Sequence, residues 1–221
     1  MNDRLLGFFS GFPTHSFPSD IAERLRKELT QRDSLVFVSA WPTEHEKNDY
    51  ESTGMHGMFE EIDLPFKQYY VIDNRMKHSQ AVRLIREASC VFLMGGHPGL
   101  QLRILRETGI DYVIRDTPAA ILGVSAGAIN MAKSSLDTKE SLVPYEGLGL
   151  ADVTVKPHFE SKDQQVLSCL LHISKDLPIC AMEDNSAIFV VVHQISGMGT
   201  IHWIHNEKIC SQWLEGLLTK R

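Results

Sequence analysis

The sequence predicts an α/β fold: a doubly wound, mostly parallel sheet with helices on both faces and a C-terminal antiparallel edge. Three observations carry that expectation. Short apolar runs alternate with longer amphipathic segments through the first two thirds of the chain. Helix-length stretches separate those runs, as parallel pairing requires, and right-handed crossovers put helices on both faces. In the last third the apolar runs come close together, which fits hairpins at one edge.

The elements follow in order. Residues 5–9 read as a strand, and Pro18-Ser19-Asp20 opens a helix through about residue 29, with Ser19 or Asp20 as its cap. Residues 34–40 form a second strand. Residues 43–62 are polar and helical in pattern, interrupted by Gly54 and Gly57. A third strand spans 68–72, a helix 78–87, and a fourth strand 90–94, ending in Gly95-Gly96. Residues 100–107 are helical, 119–124 form a fifth strand, and 127–133 a helix. The runs 178–182, 187–193 and 200–204 are the closely spaced strands of the edge.

The chain has 221 residues, which suits one α/β domain spanning 1–221. Its composition, 43% hydrophobic and 23% charged, is that of a globular protein that buries a core without staples. A net charge of −6 argues against a nucleic-acid partner, which selects a basic face. Cys90, Cys169, Cys180 and Cys210 form no C-x-x-C pair, so neither a zinc site nor a redox motif is expected. Cys90 and Cys180 lie in apolar runs and are expected to be buried, reduced thiols. The apolar run near the N-terminus is too short for a signal sequence, and no stretch approaches the roughly 20 apolar residues that span a bilayer. A cytoplasmic protein without a membrane partner is the expectation.

The most informative segment is Gly123-Val124-Ser125-Ala126-Gly127-Ala128, a Gly-x-Ser-x-Gly pattern after an apolar strand and before a helix. A nucleophile at such a turn has strained backbone angles, and small neighbours let the chain pass close by. Its side chain projects at the carboxyl end of the sheet, where open α/β folds place their sites. A structural serine in a glycine-rich turn would show the same bare pattern. Met94-Gly95-Gly96-His97-Pro98-Gly99 is a second strand-to-helix turn. Its backbone N–H groups are suited to one half of an oxyanion hole, with the N–H of Ala126 as the other. Neither G-x-G-x-x-G nor G-K-[ST] occurs, so no nucleotide cofactor is expected.

A serine nucleophile needs a base, usually a histidine oriented by a carboxylate. Ten histidines compete. His158, in Val155-Lys156-Pro157-His158-Phe159, follows an apolar stretch and a stiffening proline. His172, His193, His202 and His205 are the others weighed. For the acid, Glu183-Asp184 directly follows the run 178–182, at a strand end from which a carboxylate reaches into a site.

Taken together, these segments resemble the dipeptidase E and cyanophycinase family of serine peptidases, whose fold is like that of class I glutamine amidotransferases. The resemblance covers most of the chain: the turn at Gly95-Gly96, the elbow at 123–128, Pro157-His158-Phe159 and the acidic turn at 183–184. It implies Ser125 as nucleophile, His158 as base and Asp184 as acid, with Gly96 and Ala126 as oxyanion donors. Three departures stand out. The family's acid is commonly glutamate, one methylene longer than Asp184, which leaves neighbouring Glu183 as the alternative. The dipeptidases' Gly-Gly-Gly-Asn turn is Gly-Gly-His-Pro here. The basic residues that follow the Pro-His-Phe segment in the aspartyl dipeptidases reduce to Lys162. His97, Lys162 and Glu183 are candidate substrate-binding groups.

The function expected is hydrolysis of peptide bonds in short peptides through an acyl-enzyme, with no metal or cofactor. A small peptide is the expected partner, and a homodimer stays open. Two rivals are an α/β-hydrolase esterase, with Asp152 or Asp184 as acid and His193, His202 or His205 as base, and a binding protein that keeps the fold without catalysis.

Overall fold

The computed structural model describes residues 4–138, 142–192 and 194–210. The chain opens with β1 (Leu6–Phe9), α1 (Ser19–Glu28), β2 (Ser34–Val38), α2 (His45–Glu61), β3 (Gln68–Ile72), α3 (His78–Glu87) and β4 (Cys90–Leu93). Next come α4 (Pro98–Thr108), α5 (Ile110–Asp116), β5 (Ala120–Val124), α6 (Ala126–Met131), β6 (Ser134–Leu136), β7 (Pro144–Glu146) and β8 (Val155–Lys156). The last part holds α7 (Gln164–Ile173), β9 (Ile179–Met182), β10 (Ala187–Val191), β11 (Gln194–Met198), β12 (Ile201–His205) and β13 (Lys208–Cys210).

The main sheet runs β11-β10-β1-β5-β4-β2-β3. Its five strands from β1 to β3 are mutually parallel, whereas β10 pairs antiparallel with β1 and β11 with β10. The doubly wound sheet and its antiparallel edge are therefore present. All carboxyl ends of the parallel strands open on one rim.

Both faces of the sheet's inner part are covered, which is why β1, β2, β4 and β5 read as near-continuous apolar runs. On one face Ile21, Ala22 and Leu25 of α1 and Met58 and Phe59 of α2 pack on Phe9, Phe37, Phe92 and Phe189. On the other, α3, α4, α5 and α6 cover Phe8, Val36, Val91 and Ile121. Phe9 is fully buried among Phe12, Phe17, Phe92 and Phe189, at ring distances of 5.5–6.3 Å. Truncating it would cost about 3–5 kcal/mol.

The C-terminal third corrects one expectation. The runs 178–182 and 200–204 do not join the edge beside β10. As β9 and β12 they build a second sheet, in the order β13-β12-β9-β8. Every residue of β9 is buried. Cys180 and Met182 face the core beneath the main sheet, while Ile179 and Ala181 face Leu170 of α7. A strand apolar on both faces needs a layer on each side, and the solvated end of a sheet offers one. The turn from Glu183 to Ser186 thus carries the chain from one sheet to the other. Strand spacing alone does not tell a hairpin from such a transfer.

Two smaller differences concern helices. Gly54 and Gly57 do not break α2, because Asn48, Ser52, Met58 and Phe59 anchor it. The region after the Gly95-Gly96 turn holds two helices rather than one, divided at Gly109 in the left-handed conformation (φ 70°).

Candidate active site

Strand β5 ends at Val124 and α6 starts at Ala126, so Ser125 alone makes the turn. It adopts φ 52° and ψ −111°, a conformation that costs of order 1–3 kcal/mol and needs its surroundings to hold it. Its N–H donates to the Phe9 carbonyl at 3.0 Å, and its carbonyl accepts from the Ile129 N–H at 3.0 Å. The flanking glycines are dictated by packing. A Cβ on Gly123 would lie 2.7 Å from the Gly127 carbonyl carbon and from Met131 Sδ, and one on Gly127 would run into the Leu93 carbonyl. Glycine at both positions lets α6 lie flat against β4 and β5 and leaves the serine side chain on the rim.

Strand β8 delivers the histidine. After Pro157, His158 takes φ 51°, and its Nε2 lies 2.9 Å from Ser125 Oγ. Its Nδ1 lies 2.7 Å from Asp184 Oδ1. A carboxylate accepts only, so Nδ1 carries the proton it donates to Asp184, and Nε2 is left to accept from the serine hydroxyl. Both side chains reach solvent, His158 at 51% and Asp184 at 39% exposure.

Glu183, the alternative acid, faces elsewhere: its Oε1 is 2.8 Å from His202 Nε2. The remaining histidines weighed do not approach Ser125 by any hydrogen bond among the described residues. His172 is in the last turn of α7, His205 lies against Trp203, and His193 falls outside the described residues. Asp152 is exposed on the loop before β8.

The Gly95-Gly96 turn stands beside the serine. A Cβ on Gly95 would be 3.6 Å from Ser125 Cβ. Gly96 has φ 140°, open only to glycine, and Trp41 Nε1 and Ala40 Cβ fill the space where a side chain would go. The Trp41 indole N–H is buried without a hydrogen-bond partner among the described residues. His97 caps α4, its Nδ1 accepting from the Leu100 N–H at 3.2 Å, and its ring meets Trp41 edge-on at 5.7 Å. Pro98, which lacks an N–H, therefore occupies the first position of a helix, where no such donor is needed. Ala126 opens α6, so its N–H has no carbonyl inside the helix to bind.

The 94–98 turn is fixed from below by buried amides. Gln101 Nε2 donates to the carbonyls of Val38 and Met94, both at 3.2 Å. Asn130 of α6 donates to the Pro98 carbonyl and to Gln101 Oε1, both at 2.9 Å, and accepts from Tyr145 Oη at 2.8 Å. Lys156 is buried and binds the Pro157 carbonyl at 2.7 Å. Burial lowers its ammonium below the usual lysine range, against the opposing pull of Asp163, Asp184 and Glu160. Lys162 is exposed on the turn leading into α7.

Sequence reasoning missed Ser10, Gly11, Trp41, Gln101 and Asn130. Ser10-Gly11 carried one usable signal: two small residues immediately after an apolar strand, as at Gly95-Gly96. The others sit on helix or strand-end positions with nothing local to distinguish them. Among the described residues no group of three or more His, Cys, Asp or Glu side chains is gathered to hold a metal, and no helix is long and apolar enough to cross a membrane.

Comparison with known proteins agrees with this geometry in fold. The chain superposes on a peptidase from an acI-B1 Actinobacterium with a TM-score of 0.70 at 16% identity, covering 94% of this chain and 93% of that one. A protein assigned to peptidase E from Listeria monocytogenes EGD-e superposes with a TM-score of 0.67 at 16% identity, covering 89% of this chain and 98% of that one. Among curated proteins, the pyridoxal 5'-phosphate synthase subunit PdxT of Deinococcus radiodurans is 39% identical over 71 residues, 31% of this chain; the match spans 36% of that relative's length. The family model for peptidase family S51 matches residues 7–197, and the chain belongs to that family.

Proposed function

We propose that the protein is a serine peptidase that cleaves peptide bonds in short peptides, with Ser125 as nucleophile, His158 as general base and Asp184 as the acid that orients it. One observation carries the reading: Asp184 Oδ1, His158 and Ser125 Oγ stand in a continuous row, with hydrogen bonds of 2.7 and 2.9 Å. His158 precedes Asp184 in the chain, an order that favours a peptidase of this family over an esterase, whose histidine would follow the acid. A histidine within reach of the serine also disfavours a binding protein that has lost its chemistry.

In this mechanism Ser125 Oγ attacks the scissile carbonyl while His158 Nε2 takes its proton. The imidazolium that forms stays paired with Asp184. The oxyanion of the tetrahedral intermediate meets the N–H groups of Gly96 and Ala126. His158 then returns the proton to the leaving amine, and the acyl-enzyme is hydrolysed by a water that gives its proton to His158, which passes it to Ser125 Oγ as the acyl–oxygen bond breaks and the acid product leaves. His97, beside the oxyanion turn, is a candidate substrate contact. Lys162 is a weaker candidate, being exposed, and Glu183 is engaged by His202. A cytoplasmic setting is part of the proposal, and the four free cysteines support it.

The test is a panel of dipeptides and tripeptides incubated with the wild-type protein and with Ser125→Ala. Hydrolysis by the wild type, abolished in the variant, is expected. A variant that hydrolyses the same peptides at the wild-type rate would overturn the assignment of Ser125.

A further inference from the structure

The acid here is one methylene shorter than glutamate, yet it reaches the imidazole at 2.7 Å. The structure holds a reason in the two residues that follow β1. Ser10 is fully buried. Its Oγ accepts from the His158 backbone N–H at 2.7 Å and donates to the Met182 carbonyl at 3.0 Å, with Asp184 Oδ1 at 3.4 Å in the same direction. Its own N–H donates to the Ser186 carbonyl at 3.1 Å, and the Gly11 carbonyl accepts from the Asn185 N–H at 2.8 Å. The acid turn and the histidine turn are thus both tied to the end of β1, and tied to each other where the Phe159 N–H meets the Met182 carbonyl at 2.9 Å.

Gly11 completes the arrangement by having no side chain. A Cβ there would lie 2.5 Å from His158 Cε1 and 2.6 Å from Asp184 Oδ1. The imidazole and carboxylate therefore lie directly over the Gly11 backbone. His158 (φ 51°) and Asn185 (φ 63°) both hold left-handed backbone beside it, a conformation that persists only when neighbouring bonds determine it.

We propose that Ser10 and Gly11 form a positioning platform that draws the 182–186 turn against His158, so that an aspartate at 184 fills the role of a longer acid. The inference rests on the reading of His158 and Asp184 as base and acid. Ser10 touches neither substrate nor reacting atoms; it acts through the backbone of His158 and through the turn that carries Asp184. Its hydroxyl is the buried partner of the His158 N–H, and deleting it leaves that donor without this acceptor.

The experiment compares wild type, Ser10→Ala, Asp184→Asn and the double variant on the dipeptide the wild type hydrolyses fastest. It also records, by proton NMR, the downfield resonance of the His158 Nδ1 proton. Ser10→Ala is expected to lower kcat about 10- to 100-fold, the scale of a slightly misplaced catalytic group, with KM within about twofold. In the Asp184→Asn background the same change is expected to lower kcat less than about threefold, because the pair it aligns is already broken. The resonance is expected in wild type and lost in Ser10→Ala and Asp184→Asn alike. Full multiplication of the two losses, or a resonance unchanged in folded Ser10→Ala, would overturn the platform. If Ser10→Ala does not fold, Gly11→Ala serves: it is expected to remove the resonance and most of kcat, and unaltered values would overturn the proposal equally. A wild type that hydrolyses no peptide yet shows the resonance, lost in Ser10→Ala, would sink the peptidase reading and leave the platform standing.

Discussion

Two polar clusters occupy the same rim of the main sheet and differ in what they leave unsatisfied. One follows β2 and β3. There Ser39 Oγ donates to Asn48 Oδ1 at 2.7 Å and accepts from the Trp41 N–H at 2.9 Å. Asn48 Nδ2 binds the Trp41 carbonyl at 3.0 Å and Asp73 at 3.3 Å. Arg75 grips Asp73 and Asp49 together, with contacts of 2.6–3.0 Å. The other cluster follows β1, β5, β8 and β9 and consists of Ser10, Ser125, His158 and Asp184.

In the first cluster donors and acceptors match internally, and the Asp73 side chain is 1% exposed. Burial raises the Asp73 carboxyl, but hydrogen bonds from Arg75 and Asn48 more than offset it and hold it below the usual carboxylate range. In the second, the hydroxyl of Ser125 and the ring of His158 end the chain of hydrogen bonds at the solvent. Residue types alone do not separate the two clusters. The difference lies in whether the last partner is another protein group or open solvent, and only the second arrangement is free to act on a ligand.

Loss of any member of the Asp184–His158–Ser125 row should be the most damaging change. Ser125→Ala and His158→Gln are expected to lower kcat about 10⁴-fold or more, and Asp184→Asn about 10³- to 10⁴-fold, with little change in melting temperature. Glu183→Gln should stay within about threefold of wild type, since its partner is His202. Steady-state kinetics on the best dipeptide decides this, and equal losses at 183 and 184 would undo the choice of acid.

The first cluster should respond in stability instead. Arg75→Ala strips the buried Asp73 of its cation and is expected to lower stability, with kcat near wild type; urea unfolding monitored by circular dichroism measures it. The sign of the pH effect follows from the lowered Asp73 carboxyl. Its contribution is fully present above the unfolded carboxylate value of about 3.9 and is lost as pH falls through the lower, folded value. Asp73→Asn should therefore flatten the fall in stability as pH drops below about 4. An unchanged acid slope would mean that other carboxylates govern it.

The smallest effect lies away from both clusters. Gly54 stands exposed inside α2 with nothing within 4 Å of an added Cβ. Gly54→Ala is expected to raise stability by about 0.5–1 kcal/mol and leave kcat unchanged, as thermal and urea unfolding would report.

Much of this was legible in the sequence, for physical reasons that differ by region. Strands β1, β2, β4 and β5 are buried on both faces, so each announced itself as an apolar run, and helices of ordinary length filled the gaps. Ser125 was legible because a tight strand-to-helix turn demands small residues on both sides of it. His158 was not separable from the other histidines by spacing; only the resemblance singled it out, and its position over Gly11 arises from strands distant in sequence. Asp184 and Glu183 are adjacent and chemically alike, and which one turns to the site depends on the Ser10 and Gly11 bonds that shape the 182–186 turn. The transfer of β9 and β12 to a second sheet was hidden because pairing partners are set by packing on α7, not by the strands' own composition.

The proposed chemistry makes Ser125 a nucleophile activated by His158. Peptide mapping by mass spectrometry after reaction with a small fluorophosphonate tests it most directly. One adduct on Ser125 is predicted in the wild type, none in Ser125→Ala, and an adduct formed at least about 100-fold more slowly in His158→Gln. An adduct on another residue, or equal labelling rates in wild type and His158→Gln, would contradict it.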